Sequence, residues 1–116
     1  LICDDEPNIR ESIHYVVVKA GFDAVLAVDG VEAYTKARDL NPDLLLLDVG
    51  MPGMTGFDVC ERLRADAVFN AMKIVILTSY GQLSDQRKAA EVGADRFIVK
   101  PFSPRHLKQL LCDMLG

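Results

Sequence analysis

Five short apolar runs punctuate the chain, at residues 1–3, 24–28, 44–47, 74–77 and 97–99, and an amphipathic stretch follows each of them. That alternation is the pattern of a parallel sheet covered by helices on both faces. Leu44-Leu45-Leu46-Leu47 and Ile74-Val75-Ile76-Leu77 are apolar at every position. A strand with one wet face would alternate, so these two are expected in the interior of the sheet.

The intervening stretches repeat at helical spacing. Ile9, Ile13, Val16, Val17 and Ala20 form one stripe, and Gly21 follows where a left-handed residue would stop the helix, which predicts a first helix over about residues 7–20. Ala33, Ala37 and Leu40 give a second stripe ended by Asn41-Pro42, and Val59, Cys60 and Leu63 give a third that starts near Gly56. A weaker fourth covers roughly residues 84–92 and is closed by Gly93. In the fifth, Leu107, Leu110, Leu111, Met114 and Leu115 make a broad apolar face behind Ser103-Pro104, with Ser as N-cap and Pro at the first helical position. No internal repeat or linker-like stretch interrupts the series.

Composition narrows the picture. A chain of 116 residues, half of them hydrophobic and 26% charged, is one ordinary globular domain with a single layered core. The net charge of -4 and the scattered Lys and Arg argue against a nucleic-acid surface on this domain, so any DNA binding is expected from another domain. Cys3, Cys60 and Cys112 have neither disulfide-framework nor metal spacing, which points to a reducing cytoplasm and, for Cys60 and Cys112, to small core residues on apolar helix faces. No apolar run approaches the roughly 18 residues of a membrane span, and there is no signal-peptide pattern. With no initiator Met before Leu1-Ile2-Cys3, the chain is expected to be a domain excised from a longer protein.

In an open parallel sheet, ligands sit outside the carboxyl ends of the strands. The residues that follow the apolar runs there are Asp4, Asp5 and Glu6, then Asp48, then Thr78 and Ser79, then Lys100 and Pro101. Converging carboxylates raise one another's ionisation cost unless a cation joins them, and an oxygen-only cluster suits a hard ion such as Mg²⁺. An Asp carboxylate can attack phosphorus to form an acyl phosphate when a metal and a fixed positive charge neutralise the arriving oxygens. Lys100 can supply that charge, and the Thr78 hydroxyl can hydrogen-bond a phosphoryl oxygen. No residue is left over as a general base for an outside substrate.

Taken in order and spacing, Asp4-Asp5-Glu6, the run from Asp48 through Gly50 and Met51-Pro52 to Gly56, Thr78-Ser79 and Lys100-Pro101-Phe102 resemble the signature of response-regulator receiver domains over the whole chain. The resemblance implies an α/β, flavodoxin-like, doubly wound fold: a five-stranded parallel sheet in the order 2-1-3-4-5 with five helices. It implies that Asp48 is the phosphoacceptor and a metal ligand, Asp5 a direct Mg²⁺ ligand, Asp4 a ligand through water, and Gly50 a ligand through its carbonyl. Thr78 and Lys100 would hold the phosphoryl group, and Lys100-Pro101 would be a cis peptide. On phosphorylation the Thr78 hydroxyl would be drawn in and the aromatic ring of Phe97, where relatives more often carry Tyr, would turn inward behind it. This would remodel the face of the fourth helix, fifth strand and fifth helix, roughly residues 84–115. The implied donor is a histidine kinase or a histidine phosphotransfer protein, the implied readers are an attached output domain and a homodimer through that face, and neither nucleic acid nor membrane is touched directly. Gly50, Ser79 and Tyr80 stand where relatives tune the access of water to the acyl phosphate. The only chemistry implied is self-catalysed phosphoryl transfer and autodephosphorylation, so the domain is not an enzyme on an outside substrate.

Each residue also has a plainer reading. Asp4 and Asp5 precede Pro7 and could cap the first helix, Asp48 could open a turn, Lys100 could be a solvated loop lysine, and Thr78 could bond the backbone at a strand end. Their placement at four strand ends together favours the site. His14 and His106 fall on helices away from these ends and are given no role, and Met51 and Met54 are expected to pack their loop. A haloacid-dehalogenase-type phosphatase would carry its nucleophile as Asp-x-Asp after the first strand, whereas here the isolated Asp follows the third. A flavodoxin-like electron carrier would need a Ser/Thr- or Gly-rich loop after the first strand, where three acids would repel a phosphate. The Gly-rich phosphate loop of nucleotide hydrolases is absent. The alternative that remains is a receiver-shaped docking module that is never phosphorylated.

Overall fold

A computed structural model describes residues 1–51, 53–78, 83–100 and 102–115, with residues 83 and 84 described for their backbone alone. Strands β1 (Ile2–Cys3), β2 (Leu26–Ala27), β3 (Leu44–Asp48), β4 (Lys73–Thr78) and β5 (Arg96–Val99) alternate with helices α1 (Pro7–Lys19), α2 (Gly30–Leu40), α3 (Gly56–Arg64), α4 (Leu83–Glu91) and α5 (Pro104–Leu115). A 3-10 turn, Ala67–Phe69, precedes β4. The strands form one sheet in the order β2-β1-β3-β4-β5, and each neighbouring pair runs parallel.

The period-2 pleat divides the core between two faces of the sheet. Cys3, Leu45, Leu47, Ile74 and Ile76 point toward α2, α3 and α4, where they meet Ala33, Ala37, Phe57, Val59, Cys60, Leu63 and Ala89. Ile2, Leu44, Leu46, Val75, Leu77 and Ile98 point the other way, onto Ile13, Val16 and Val17 of α1 and Leu107, Leu110 and Leu111 of α5. Two covered faces explain why β3 and all of β4 beyond Lys73 are buried. The topology makes β1 a third interior strand beside the two that the apolar runs identify.

Helix ends follow local chemistry. Asp29 caps α2 by accepting from Glu32 N–H at 2.8 Å, and Thr55 and Asp58 form a reciprocal capping box on α3. Ser103 Oγ accepts from His106 N–H at 3.0 Å, and Pro104 opens α5 as expected. Gly21 (φ +92°) and Gly93 (φ +91°) adopt the left-handed conformation after α1 and α4, and Asn41 (φ 45°) does so after α2.

Three expectations are corrected. The second strand spans Leu26–Ala27 rather than 24–28, because an edge strand is paired on one side alone and its flanking Val25 and Val28 are exposed. Leu40 is 53% exposed and stands apart from the buried Ala33 and Ala37, since it is the last residue of α2, where the chain swings away through Asn41. Cys112 is exposed, because α5 buries the row Leu107-Leu110-Leu111 and the next residue turns off that row. Cys60 and Cys3 are buried as read. No helix among the described residues is long and apolar enough to cross a membrane.

Candidate functional site: an acidic pocket closed by a lysine

The parallel register assembles the site. Cys3 pairs with Leu47, so Asp4 leaves β1 beside Asp48 at the end of β3. Asp48 pairs with Leu77, which brings Thr78 one residue beyond it on β4, and Thr78 in turn pairs with Val99. Lys100 follows directly, its N–H donating to the Thr78 carbonyl at 2.7 Å.

The side chains then meet. Lys100 Nζ lies 2.7 Å from Asp4 Oδ2 and 2.9 Å from Asp48 Oδ1. Asp4 is 0% exposed, Asp48 7% and Thr78 1%, so charge and hydroxyl are held in a largely dry floor. Burial by itself would lower the Lys100 pKa, but its hydrogen bonds to Asp4 and Asp48 and their negative charges outweigh this and raise it. The ammonium therefore stays charged at neutral pH.

Asp5 is exposed at the rim, and one carboxylate oxygen from each of Asp4, Asp5 and Asp48 lies within 4.8 Å of the others. Such an all-oxygen donor set fits a hard divalent cation better than a soft one that prefers nitrogen or sulfur. Gly50 is exposed beside it, and a Cβ built there would have Asp48 Oδ2 as its nearest neighbour, at 4.0 Å, so the space over that oxygen is open.

The loop after Asp48 is tied to the scaffold at both ends. Met51 is buried, with its Sδ 2.9 Å from Cys3 Sγ, and Cys3 also donates to Asp29 O at 3.2 Å. Burial, followed by the negative charges of Asp29, Asp4, Asp48 and Glu32, pushes the Cys3 thiol up to about 12, so it is a protonated packing residue rather than a nucleophile. Gly30 faces the Met54 carbonyl so closely that any Cβ would collide with it. Phe97 is half-buried on β5 and packs against the α2/α3/α4 side of the core.

The capping reading of Asp4 and Asp5 does not hold. Glu6 caps α1, accepting from Asn8 N–H at 3.3 Å and Ile9 N–H at 2.9 Å, which leaves Asp5 to the rim. The sequence reading missed Arg10, whose Nη1 donates to the Asp4 carbonyl at 2.7 Å. A cation so near the N-terminus of a helix, where the dipole favours anions, was the signal available for it. His14 is half-buried on α1 and His106 is exposed on α5. Ser79, Tyr80, Pro52 and the Lys100-Pro101 peptide lie outside the described residues.

Residues 1–112 match the family described as response regulator receiver domain. Over 107 residues the chain is 43% identical to the DNA-binding response regulator MtrA of Mycolicibacterium smegmatis, covering 92% of this chain and 46% of MtrA. It is 39% identical over 102 residues to the DNA-binding dual master transcriptional regulator RpaA of Synechocystis, covering 88% of this chain and 42% of RpaA. The chain thus spans less than half the length of these curated relatives. Among solved structures, chemotaxis protein CheY4 of Vibrio cholerae superposes with a TM-score of 0.91 at 32% identity, covering 97% of this chain and 94% of CheY4. Fold, pocket and sequence agree, and the chain belongs to the response regulator receiver domain family of two-component signalling.

Proposed function

We propose that Asp48 is the phosphoryl acceptor of this receiver domain. The observation that carries the reading is Lys100 Nζ bridging Asp4 and Asp48 at 2.7 and 2.9 Å, with Asp5 completing an oxygen cluster at the rim. In the reaction, an Asp48 carboxylate oxygen attacks phosphorus. The bond from phosphorus to the donor's nitrogen or oxygen breaks, its electron pair leaves with the donor, and an acyl phosphate remains on Asp48. Asp4, Asp5, Asp48 and the Gly50 carbonyl would hold Mg²⁺, with Asp4 acting through water. That ion would supply positive charge to the phosphoryl oxygens.

The chain's own groups do the rest. Lys100 presents a fixed ammonium that can exchange a carboxylate oxygen for a phosphoryl oxygen, since both are anionic acceptors at hydrogen-bond range. Thr78, at the end of β4, supplies a hydroxyl next to that position. Its backbone carbonyl holds the Lys100 N–H, so a shift of either residue is felt by the other. Inward burial of Phe97 is the companion move on β5. The remodelled face would be α4, β5 and α5, serving homodimerisation or an attached output domain, as the DNA-binding names of MtrA and RpaA suggest for the rest of such proteins.

The donor would be a histidine kinase or histidine phosphotransfer protein in the cytoplasm, and phosphoryl transfer and hydrolysis at Asp48 would be the domain's only chemistry. The decisive test is intact-mass spectrometry after incubation with acetyl phosphate, with and without Mg²⁺, on wild type and Asp48→Asn. One adduct that needs both Mg²⁺ and Asp48 is the expected result. Equal adduct on Asp48→Asn would remove the acceptor assignment, and no adduct on wild type, even with rapid quenching, would favour the docking-module reading.

A further inference from the structure

Asp5 is the rim carboxylate and is exposed. The direction of its Cα–Cβ bond is set by the two peptide planes on either side of its Cα, because each plane is rigid and only φ and ψ of Asp5 join them. Both planes are pinned. The carbonyl of the first, between Asp4 and Asp5, accepts from Arg10 Nη1 at 2.7 Å. The N–H of the second, between Asp5 and Glu6, donates to Asp4 Oδ1 at 2.9 Å.

We propose that Arg10 is a positioning residue for the metal site: by holding the Asp4–Asp5 peptide plane it fixes the Cα–Cβ direction from which Asp5 presents its carboxylate to a divalent cation. The helix makes this reach natural. Arg10 is the fourth residue of α1, its N–H bonds Glu6 O at 3.0 Å, and side chains on a helix lean toward its N-terminus, so the guanidinium folds back over the first turn onto Asp4. The placement carries a cost, since a cation at the positive end of the helix dipole is disfavoured and the charge also opposes an incoming cation. A residue that works against both fields and still bonds a single carbonyl has a geometric role.

That opposition gives the test its sign. If Arg10 acted through charge alone, its removal would strengthen the attraction of the acidic cluster for Mg²⁺; as a positioning residue, its removal weakens binding. The inference rests on the proposed Mg²⁺ site, so the experiment reads Mg²⁺ binding itself, by calorimetric titration of the phosphate-free protein with MgCl₂ and no phosphodonor. Wild type is expected to bind and Asp5→Ala to lose binding. Arg10→Ala should bind roughly tenfold more weakly, the usual effect of losing a group that orients a ligand, and Arg10→Lys, which keeps a donor of similar reach, should recover part of the loss. At saturating Mg²⁺ the Arg10→Ala protein should form the Asp48 adduct at the wild-type rate, so that half-saturation moves and the maximum does not. If Arg10→Ala has no cooperative melting transition, Arg10→Gln replaces it with the same expectation. Equal or tighter Mg²⁺ binding by a folded Arg10 variant, beside a wild type that binds and an Asp5→Ala that does not, overturns the inference while leaving the metal site standing. Absence of Mg²⁺ binding by wild type removes both.

Discussion

Gly56, the first residue of α3, sits so close beneath Asp48 that a Cβ on it would come within 2.5 Å of the Asp48 carbonyl oxygen. The chain returns after the 49–55 loop to the backbone of the very residue proposed to accept the phosphoryl group, and only a residue without a side chain permits that approach. Gly56→Ala is therefore expected to push α3 or the loop outward, costing about 1–3 kcal/mol of stability as overpacking does. It should also slow adduct formation, because that loop carries Gly50 and starts directly after Asp48. Urea denaturation and adduct kinetics check this together, and wild-type behaviour in both would show that the loop yields without consequence.

Lys100→Met would remove the ammonium that bridges two buried carboxylates while keeping most of the stem. Breaking a buried pair by removing one partner typically costs about 3–5 kcal/mol, and here Asp4 keeps one further donor, the Glu6 N–H. A loss toward the lower end of that range is expected at neutral pH, with the Asp48 adduct strongly reduced. Mg²⁺ should restore part of the lost stability by supplying the missing positive charge, which a melting curve with and without MgCl₂ would show.

Alkaline pH should weaken the fold through three groups acting in the same direction. The Lys100 pKa is raised above 10.5, so its stabilising contribution is whole below that value and is lost as pH rises through the folded one. Burial raises Cys3 from 9.0 to about 12 and Cys60 to about 11. Between 9.0 and those values the unfolded chain has given up thiol protons that the folded one retains, so stability falls as pH climbs. Denaturation midpoints from these groups should stay flat between pH 7 and pH 8.5, then drop. A Cys60→Ala variant should show a shallower decline over pH 9 to 11, and an unchanged slope would discard Cys60 as a contributor.

The same burial predicts thiol reactivity. Cys112 is exposed while Cys3 and Cys60 are buried. A disulfide reagent at pH 8 should label one thiol quickly in the native protein and three after unfolding. Rapid native labelling that survives in Cys112→Ser would show that a buried thiol is reached.

At the opposite end of the sheet, Arg64 ties α3 to the ends of its neighbours. Its Nε donates to Gly93 O at 2.9 Å, Nη1 to Phe69 O at 3.0 Å, and Nη2 to Asp95 Oδ2 at 2.8 Å, and Asp95 also accepts from Ile74 N–H at 2.8 Å. Arg64→Ala should cost about 0.5–1.5 kcal/mol, the net worth of such a hydrogen bond where water can replace the lost donor. It should leave the Asp48 adduct rate unchanged, because none of these bonds touches the pocket. A slowed adduct would mean that the site senses the base of α4.

The sequence alone determined the alternation of strands and helices, the doubly covered sheet and the family. These rest on local periodicity and on which residue follows each apolar run. Asp4, Asp5, Asp48, Thr78 and Lys100 were legible for the same reason, since a parallel sheet brings every strand's carboxyl end to one side. What the tertiary structure decided was relational. The caps of α1 went to Glu6 rather than to Asp4 or Asp5, Leu40 and Cys112 turned outward, and Arg10, Gly30 and Gly56 became constraints on the site. The close approaches at Gly30 and Gly56 could not be read along the chain, because each depends on how closely one element's backbone approaches another. That distance is set by the packing of two helical layers on a sheet, not by the period of any one segment.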